Sequence, residues 1–499
     1  MTTNRGQRRR GRIQSLAMLG AWVALLVTAG SCQRRRDGAG SALPAILRIG
    51  VSQWSASTNP VQGLRQLSQI LVVEGLARTG EDGRMQPSLA EGWTVGANGR
   101  SLIVKLHANA RFHDGSPVNA ETVAALLPDA MKKLVGSVSD VERVHATGAD
   151  TIEVLFRESS PFMVETLEAP LQKPNGASTG PFEAVANSTT ELTANRDYYL
   201  GRPELASVRV EMFPSVRTAW AEMLRGRTDM LWEVGPDALP SLEKANSISL
   251  FTFTRRYQYV IVLNPDAPQL KSAAIRRALN LAVNRDAVVR NALNSYGVAS
   301  TGPIWPRNWA MPRDAATFKF DPAAAASLLS GTRLRFTCLV PPDAPYERLA
   351  LEVKRQLGAV GIDMVPEEVS YDEQARRGAK REYDAMLTEL ISGPTLLRPY
   401  VIWHSDTPYN WGRFGNARID AALDRVRASA SDEAFRAAIT GVQQTFVDDP
   451  PAVFLAWSQR ARAVSNRFLV PASESGRDIL STMRLWKPAS AAEQRASRN

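Results

Sequence analysis

The stretch Arg111-Phe112-His113-Asp114-Gly115-Ser116-Pro117-Val118-Asn119-Ala120-Glu121-Thr122-Val123 sets a histidine beside an aspartate, then a turn, then a helix signal. Whether that pair is catalytic decides between a molecule that performs chemistry and one that holds something. Upstream, Leu102, Val104 and Leu106 alternate with Ile103, Lys105 and His107, the period of a strand. Asp114-Gly115 reads as a turn, because glycine accepts positive φ and aspartate bonds nearby amides. Asn119 predicts a side-chain cap for a helix opening at Ala120, with Glu121 placed at the positive end of the helix dipole. Structure alone thus explains the segment. A catalytic histidine needs an orienting partner and a nucleophile within reach, and adjacent residues on a turn point apart. The stretch reads as a corner between a strand and a helix.

The same alternation of elements runs outward. Strands are predicted over Leu47–Ser52, Leu102–His107, Thr151–Phe156, Val208–Phe213 and Tyr257–Leu263. Asp321-Pro322 opens a helix that Gly331 closes; Leu349, Val353, Leu357 and Val360 share one face of another, stopped by Gly361; Leu423 and Val426 begin a third. Strands interspersed with helices make the class mixed α/β. With 499 residues and 44% hydrophobic composition, the chain has material for several cores. Cys338 lies on the alternating run Leu334, Phe336, Cys338, Val340 and reads as a buried, inert thiol.

The formal charge of +10 is misleading. Eight of the 60 Lys and Arg fall in residues 1–36, which hold no acid, leaving 52 bases against 50 acids elsewhere. The body makes no electrostatic case for nucleic acid. Residues 1–31 read as a signal peptide, with an arginine-rich start and an apolar run, Leu16 to Val27, too short to span a bilayer. Small residues Thr28-Ala29-Gly30-Ser31 precede Cys32 and resemble a lipobox, which implies a diacylglycerol on Cys32; a plain signal peptide or an uncleaved anchor is the alternative. Residues 32–45 are then a tether, and the protein is expected to be exported and held to a membrane, periplasmic or at the cell surface.

Further segments carry a family resemblance. Glu74-Gly75-Leu76, then Pro87-Ser88-Leu89-Ala90-Glu91-Gly92-Trp93, Phe112-His113-Asp114-Gly115, Thr179-Gly180-Pro181-Phe182, Asn195-Arg196-Asp197-Tyr198, Leu224 to Asp229, and Arg276-Arg277-Ala278-Leu279 through Arg285-Asp286 occur in order. The series, over roughly residues 47–470, resembles bacterial extracellular solute-binding proteins of the peptide/nickel class, which serve ABC importers. The resemblance implies a two-lobed periplasmic-binding-protein-like fold with a hinge and an extra subdomain on the first lobe. Residues 46–62, 180–254 and 465–490 would form lobe I, 63–179 its subdomain and 255–464 lobe II, with hinge strands crossing near 253–257 and 464–467. The implied partners are a small-molecule or peptide ligand, an ABC permease and a separate ATPase, since the chain has no phosphate-binding Gly-x-x-x-x-Gly-Lys loop. A monomer with no cofactor is expected.

Many members of the class fix a peptide's α-amine with an aspartate in the loop after a strand like Tyr383–Leu387. Here that loop, 392–400, holds no aspartate and one arginine, Arg398. A guanidinium attracts a carboxylate or phosphate and repels an ammonium. Candidate ligand-binding residues are therefore Arg398, the aromatics that follow it (Trp403, Tyr409 and Trp411), and Trp54, Trp232 and Tyr257, which fall where similar proteins bring chain to the cleft. Core packing is the competing role for each aromatic, and a solvated or structural role for Arg398. Glu233 and Glu389 are candidates for a cationic ligand group, against a structural role. No metal is expected, because none of His107, His113, His145 and His404 pairs at ligand spacing. A secreted hydrolase finds no support: Gly-x-Ser-x-Gly and His-Glu-x-x-His are missing. A sensor that signals to a membrane partner needs the same closing lobes and stays open beside the importer.

Overall fold

Two strands organise the molecule: Ile248–Leu263, 16 residues long, and Ala452–Ser465, 14 long. They belong to a computed structural model that describes residues 45–52, 67, 70–135, 140–188, 190–235, 238–410, 416–471, 478–490 and 493. The pair lies antiparallel along its length at the centre of an eleven-stranded sheet. Beyond Ile248–Leu263 come Ala385–Ile391, Leu334–Val340 and Ile362–Glu368; beyond Ala452–Ser465 come Met230–Val234, Ile46–Ser52, Ser207–Phe213, Glu191–Ala194 and Phe182–Ala184. Each long strand therefore serves both halves. Ile248–Thr254 pairs with Gln459–Ser465 in one, and Gln258–Val262 with Trp457–Ala452 in the other. Between them the register shifts, from Thr254 to Gln258.

Sequence dictates which half is which. Val260, Ile261, Val262 and Leu263 are all buried, the continuous apolar run of a strand covered on both faces. Expected from Tyr257, the strand begins nine residues earlier; Phe251 and Phe253 alternate, but Arg255-Arg256 interrupts the pattern and hides the continuity. On the same half, parallel strands Leu334–Val340 and Ile362–Glu368 are linked by helix Ala344–Gly358, which buries Leu349, Val353 and Leu357 as its period predicts. Cys338 is fully buried there, and burial pushes its thiol up to about 12, so it is inert. Asp321 caps helix Pro322–Leu329 by accepting from Ala324 N at 2.8 Å; Ser330 takes the left-handed C-terminal position and Gly331 follows with φ +76°. Asn416 caps the helix Ala417–Arg427, which buries Leu423 and Val426.

A separate four-stranded antiparallel sheet, ordered Ala90–Val95, Ser101–Leu106, Thr151–Phe156 and Val141–Ala146, is backed by helix Ala120–Val135 through Val123, Leu127 and Met131. The opening stretch is the corner between them. Asn119 Oδ1 accepts from Thr122 N at 2.9 Å, and Gly115 has φ +80°. His113 Nε2 lies 3.0 Å from the carbonyl oxygen of Gly180, while Asp114 accepts from Lys173 at 3.0 Å. Histidine and aspartate hold different segments and do not form a pair.

Candidate functional site

Arg255, Tyr257 and Tyr259 are spaced two apart on one strand, so they project to one side, and all three line a cavity of about 700 Å³. Helix Leu397–Trp403 contributes Arg398, Val401 and Ile402. Asp343 and Tyr346 enter at the start of helix Ala344–Gly358, and Tyr371 at the start of helix Tyr371–Lys380. The opposite half of the sheet supplies Glu233 and Arg460, and the helix behind the four-stranded sheet supplies Leu134. The walls thus come from every part of the fold, at a volume typical of small-molecule sites.

Four charges on the wall neutralise one another. Arg255 Nη1 donates to both oxygens of Glu389, each at 2.9 Å, and its Nε lies 3.7 Å from Glu233. Arg460 Nε sits 3.1 Å from the same Glu233 and its Nη2 donates to Tyr259 at 3.1 Å. Burial opposes charge on Glu233, but Arg255, Arg460 and Arg462 outweigh it and hold the carboxyl below the ordinary range. Burial likewise opposes charge on Arg255, and Glu389 and Glu233 reverse the effect. The guanidinium also lies over the Tyr257 ring, 4.4 Å from its centre. Glu233 and Glu389, candidates for a cationic ligand group, are therefore committed to arginines.

Of the residues singled out from sequence, Arg398, Tyr257 and Tyr409 are brought together on the cavity wall. Trp232 and Trp403 are not among its lining. Trp232 precedes Glu233 on a strand, so it points the other way, into a core where Arg462 lies 4.1 Å over its ring. Trp403 is 2% exposed and packs edge-on against Phe446 and Phe454; Arg398, Val401 and Ile402 occupy the helix face turned to the cavity. Trp54, Trp411 and Cys32 lie outside the described residues. Sequence reasoning missed Arg255, Tyr259, Asp343, Tyr346, Tyr371 and Arg460. The two-residue spacing of Arg255, Tyr257 and Tyr259 was the available signal. Among the described residues no cluster of three His, Cys, Asp or Glu could hold a metal ion, and no helix is long and apolar enough to cross a membrane.

Comparison with known proteins places this geometry in context. The family described as bacterial extracellular solute-binding proteins, family 5 Middle, matches residues 84–412. Protein XP55 of Streptomyces lividans is 26% identical, covering 94% of both chains. The glutathione-binding protein GsiB of Pectobacterium atrosepticum is 22% identical over 84% of this chain and 90% of its own. Among solved structures, the ABC transporter substrate-binding protein CtaP of Listeria monocytogenes superposes with a TM-score of 0.79 at 20% identity, covering 89% of this chain and 99% of that one. The fold is the two-lobed one of periplasmic binding proteins.

Proposed function

Given that the chain belongs to the bacterial extracellular solute-binding proteins of family 5, we propose that it is the ligand-capturing subunit of an ABC importer for a peptide-like or other polar organic solute. One observation carries this reading: a single cavity takes its walls from both halves of a sheet whose two central strands slip register between those halves. Ligand contacts made by both sides favour the closed form over the open one, and a permease that recognises the closed form receives the solute. We place the hinge at Thr254–Gln258 and at the facing residues Trp457–Gln459, earlier on the second strand than 464–467. The expected lobes follow with one shift, because 459–465 pairs with 248–254: residues 46–62, 180–254 and 460–490 serve as lobe I, 63–179 as its subdomain and 255–459 as lobe II, in place of a boundary at 464/465. No bond of the ligand changes; the ATPase is a separate chain. Cys32 carries the lipid that keeps the monomer at the membrane after export.

Within the cavity, Arg398 meets an acidic group of the ligand. Arg398 has no ion pair among the described residues; Glu165 acts on it, but burial pushes that carboxyl up to about 8. The test is mass spectrometry of small molecules retained through purification, followed by titration of tryptophan fluorescence with the compound found. A retained compound that binds reversibly and is recovered unchanged is expected, with affinity falling about tenfold or more in Arg398→Ala. A compound turned over by the pure protein would overturn the reading; equal affinity in Arg398→Ala would remove Arg398 from it.

A further inference from the structure

We propose that the cavity selects a zwitterionic solute, with Asp343 and Tyr371 receiving its cationic group and Arg398 its anionic group. The proposal rests on the binding-protein reading and assigns that site a ligand class. Three acids and three arginines line the cavity. Arg255 pairs with Glu389 and Arg460 with Glu233, which leaves Asp343 and Arg398 with no ion pair among the described residues. They sit on different elements of one cavity wall, so a ligand spanning the cavity would supply both counter-charges.

Asp343 is turned to the cavity by a choice the local sequence does not require. It occupies the N-cap position of helix Ala344–Gly358, where an aspartate side chain ordinarily accepts from the first turn, yet it makes no such bond. Its Oδ2 instead accepts the Tyr371 hydroxyl at 2.5 Å, and Oδ1 has no partner among the described residues. Tyr371 is a neutral donor, kept so chiefly by burial and by Asp343 itself, both of which raise its phenol. A phenol orients the carboxylate without cancelling its charge. Pro342 and Pro345 flank the position and stiffen the turn.

At Arg398 the logic is the converse. Glu165, the acid that acts on it, is largely protonated at neutral pH because of its burial, and its carboxyl already meets the Thr395 side chain and the Leu397 backbone N–H. Tyr346 and Tyr409 add aromatic lining for the body of the ligand, whereas Tyr257 already carries Arg255 over its ring and Tyr259 is 1% exposed. A purely anionic solute leaves Asp343 desolvated without a counter-charge, and a purely cationic one does the same to Arg398. Each absence is a penalty that discriminates more strongly than a gained contact.

The experiment offers the dialysable small-molecule fraction of a bacterial extract to the purified protein and identifies what is retained by mass spectrometry. Retained compounds should carry both a basic nitrogen and an acidic group. Asp343→Asn and Arg398→Gln should each reduce retention of the same compound about tenfold or more, with Tm unchanged. The derivative with its basic nitrogen acylated should bind Asp343→Asn no worse than the wild type, a readout that a merely structural role for Asp343 would not give. Retained compounds with one charge type only, or undiminished retention by Asp343→Asn, would overturn the zwitterion assignment while leaving the binding-protein reading intact. Retention of nothing by the wild type would overturn that reading itself.

Discussion

Glu74 and Tyr198 are 124 residues apart in sequence, and the Tyr198 hydroxyl donates to Glu74 Oε1 at 2.7 Å. Both belong to motifs that sequence treats as separate. Burial pushes the Glu74 carboxyl up to about 7, against bonds from Tyr198, Thr179 and Tyr199 that favour ionisation. A carboxyl raised in the folded state from about 4.5 contributes stability that is fully present below that value and lost as pH rises through about 7. The wild-type Tm should therefore fall over that window, and Glu74→Gln should flatten the fall; an unchanged slope in differential scanning fluorimetry would refute the assignment. The arginines of the Arg276–Arg285 motif have the same structural character. Arg285 Nε donates to Phe454 O at 2.7 Å, and Arg276 Nε to Pro450 O at 3.1 Å. The motif ties helices to the long strand, and neither arginine is among the residues lining the cavity. At the cavity wall, Glu389→Gln strips Arg255 of the carboxylate that accepts twice from it and leaves Glu233 as its remaining counter-charge. A loss of about 3 kcal/mol is expected in urea denaturation; a loss below about 0.5 kcal/mol would mean the pair is a surface ornament.

At the scale of elements, what was legible followed period and caps. The corner at Asn119, the cap at Asp321 and the buried face of Ala344–Gly358 needed only neighbours in sequence. What was hidden depended on facing. Proximity to a cleft suggested Trp232, but a strand alternates sides, and Glu233 received the cavity while Trp232 received the core. Trp403 likewise lies on the side of its helix that packs against Phe446 and Phe454. Asp343 was invisible because an aspartate before a helix reads as a cap.

The hairpin Ala77–Thr79 and Met85–Pro87 makes a contact that no local pattern announces. Its tip reaches the far half: Trp305 Nε1 donates to Glu81 O at 2.8 Å, Trp309 N to Asp82 O at 2.9 Å, and Arg84 pairs with Asp432 at 3.0 Å while lying 3.8 Å over the Trp309 ring. Gly83, at φ +83°, sits so close that a Cβ would come within 2.6 Å of Pro394 O. Gly83→Ala should lift the tip from its seat and weaken ligand binding about tenfold without touching the cavity, because it disfavours the state in which both halves meet. Unaltered affinity by fluorescence titration would show that the tip does not bias closure.

For the whole molecule, the two long strands are the spine of the sheet and, on the proposed reading, the place where its halves would articulate. Arg255 and Tyr257 lie in the register shift and on the cavity wall at once, so on that reading an occupant would touch the segment that bends. Small-angle X-ray scattering of the protein, stripped of ligand and then titrated with the compound it retains, measures this directly. The account predicts a radius of gyration that shrinks saturably as the compound binds and recovers when it is dialysed away. A single unchanging scattering curve across a titration that fluorescence shows to be saturating would contradict it.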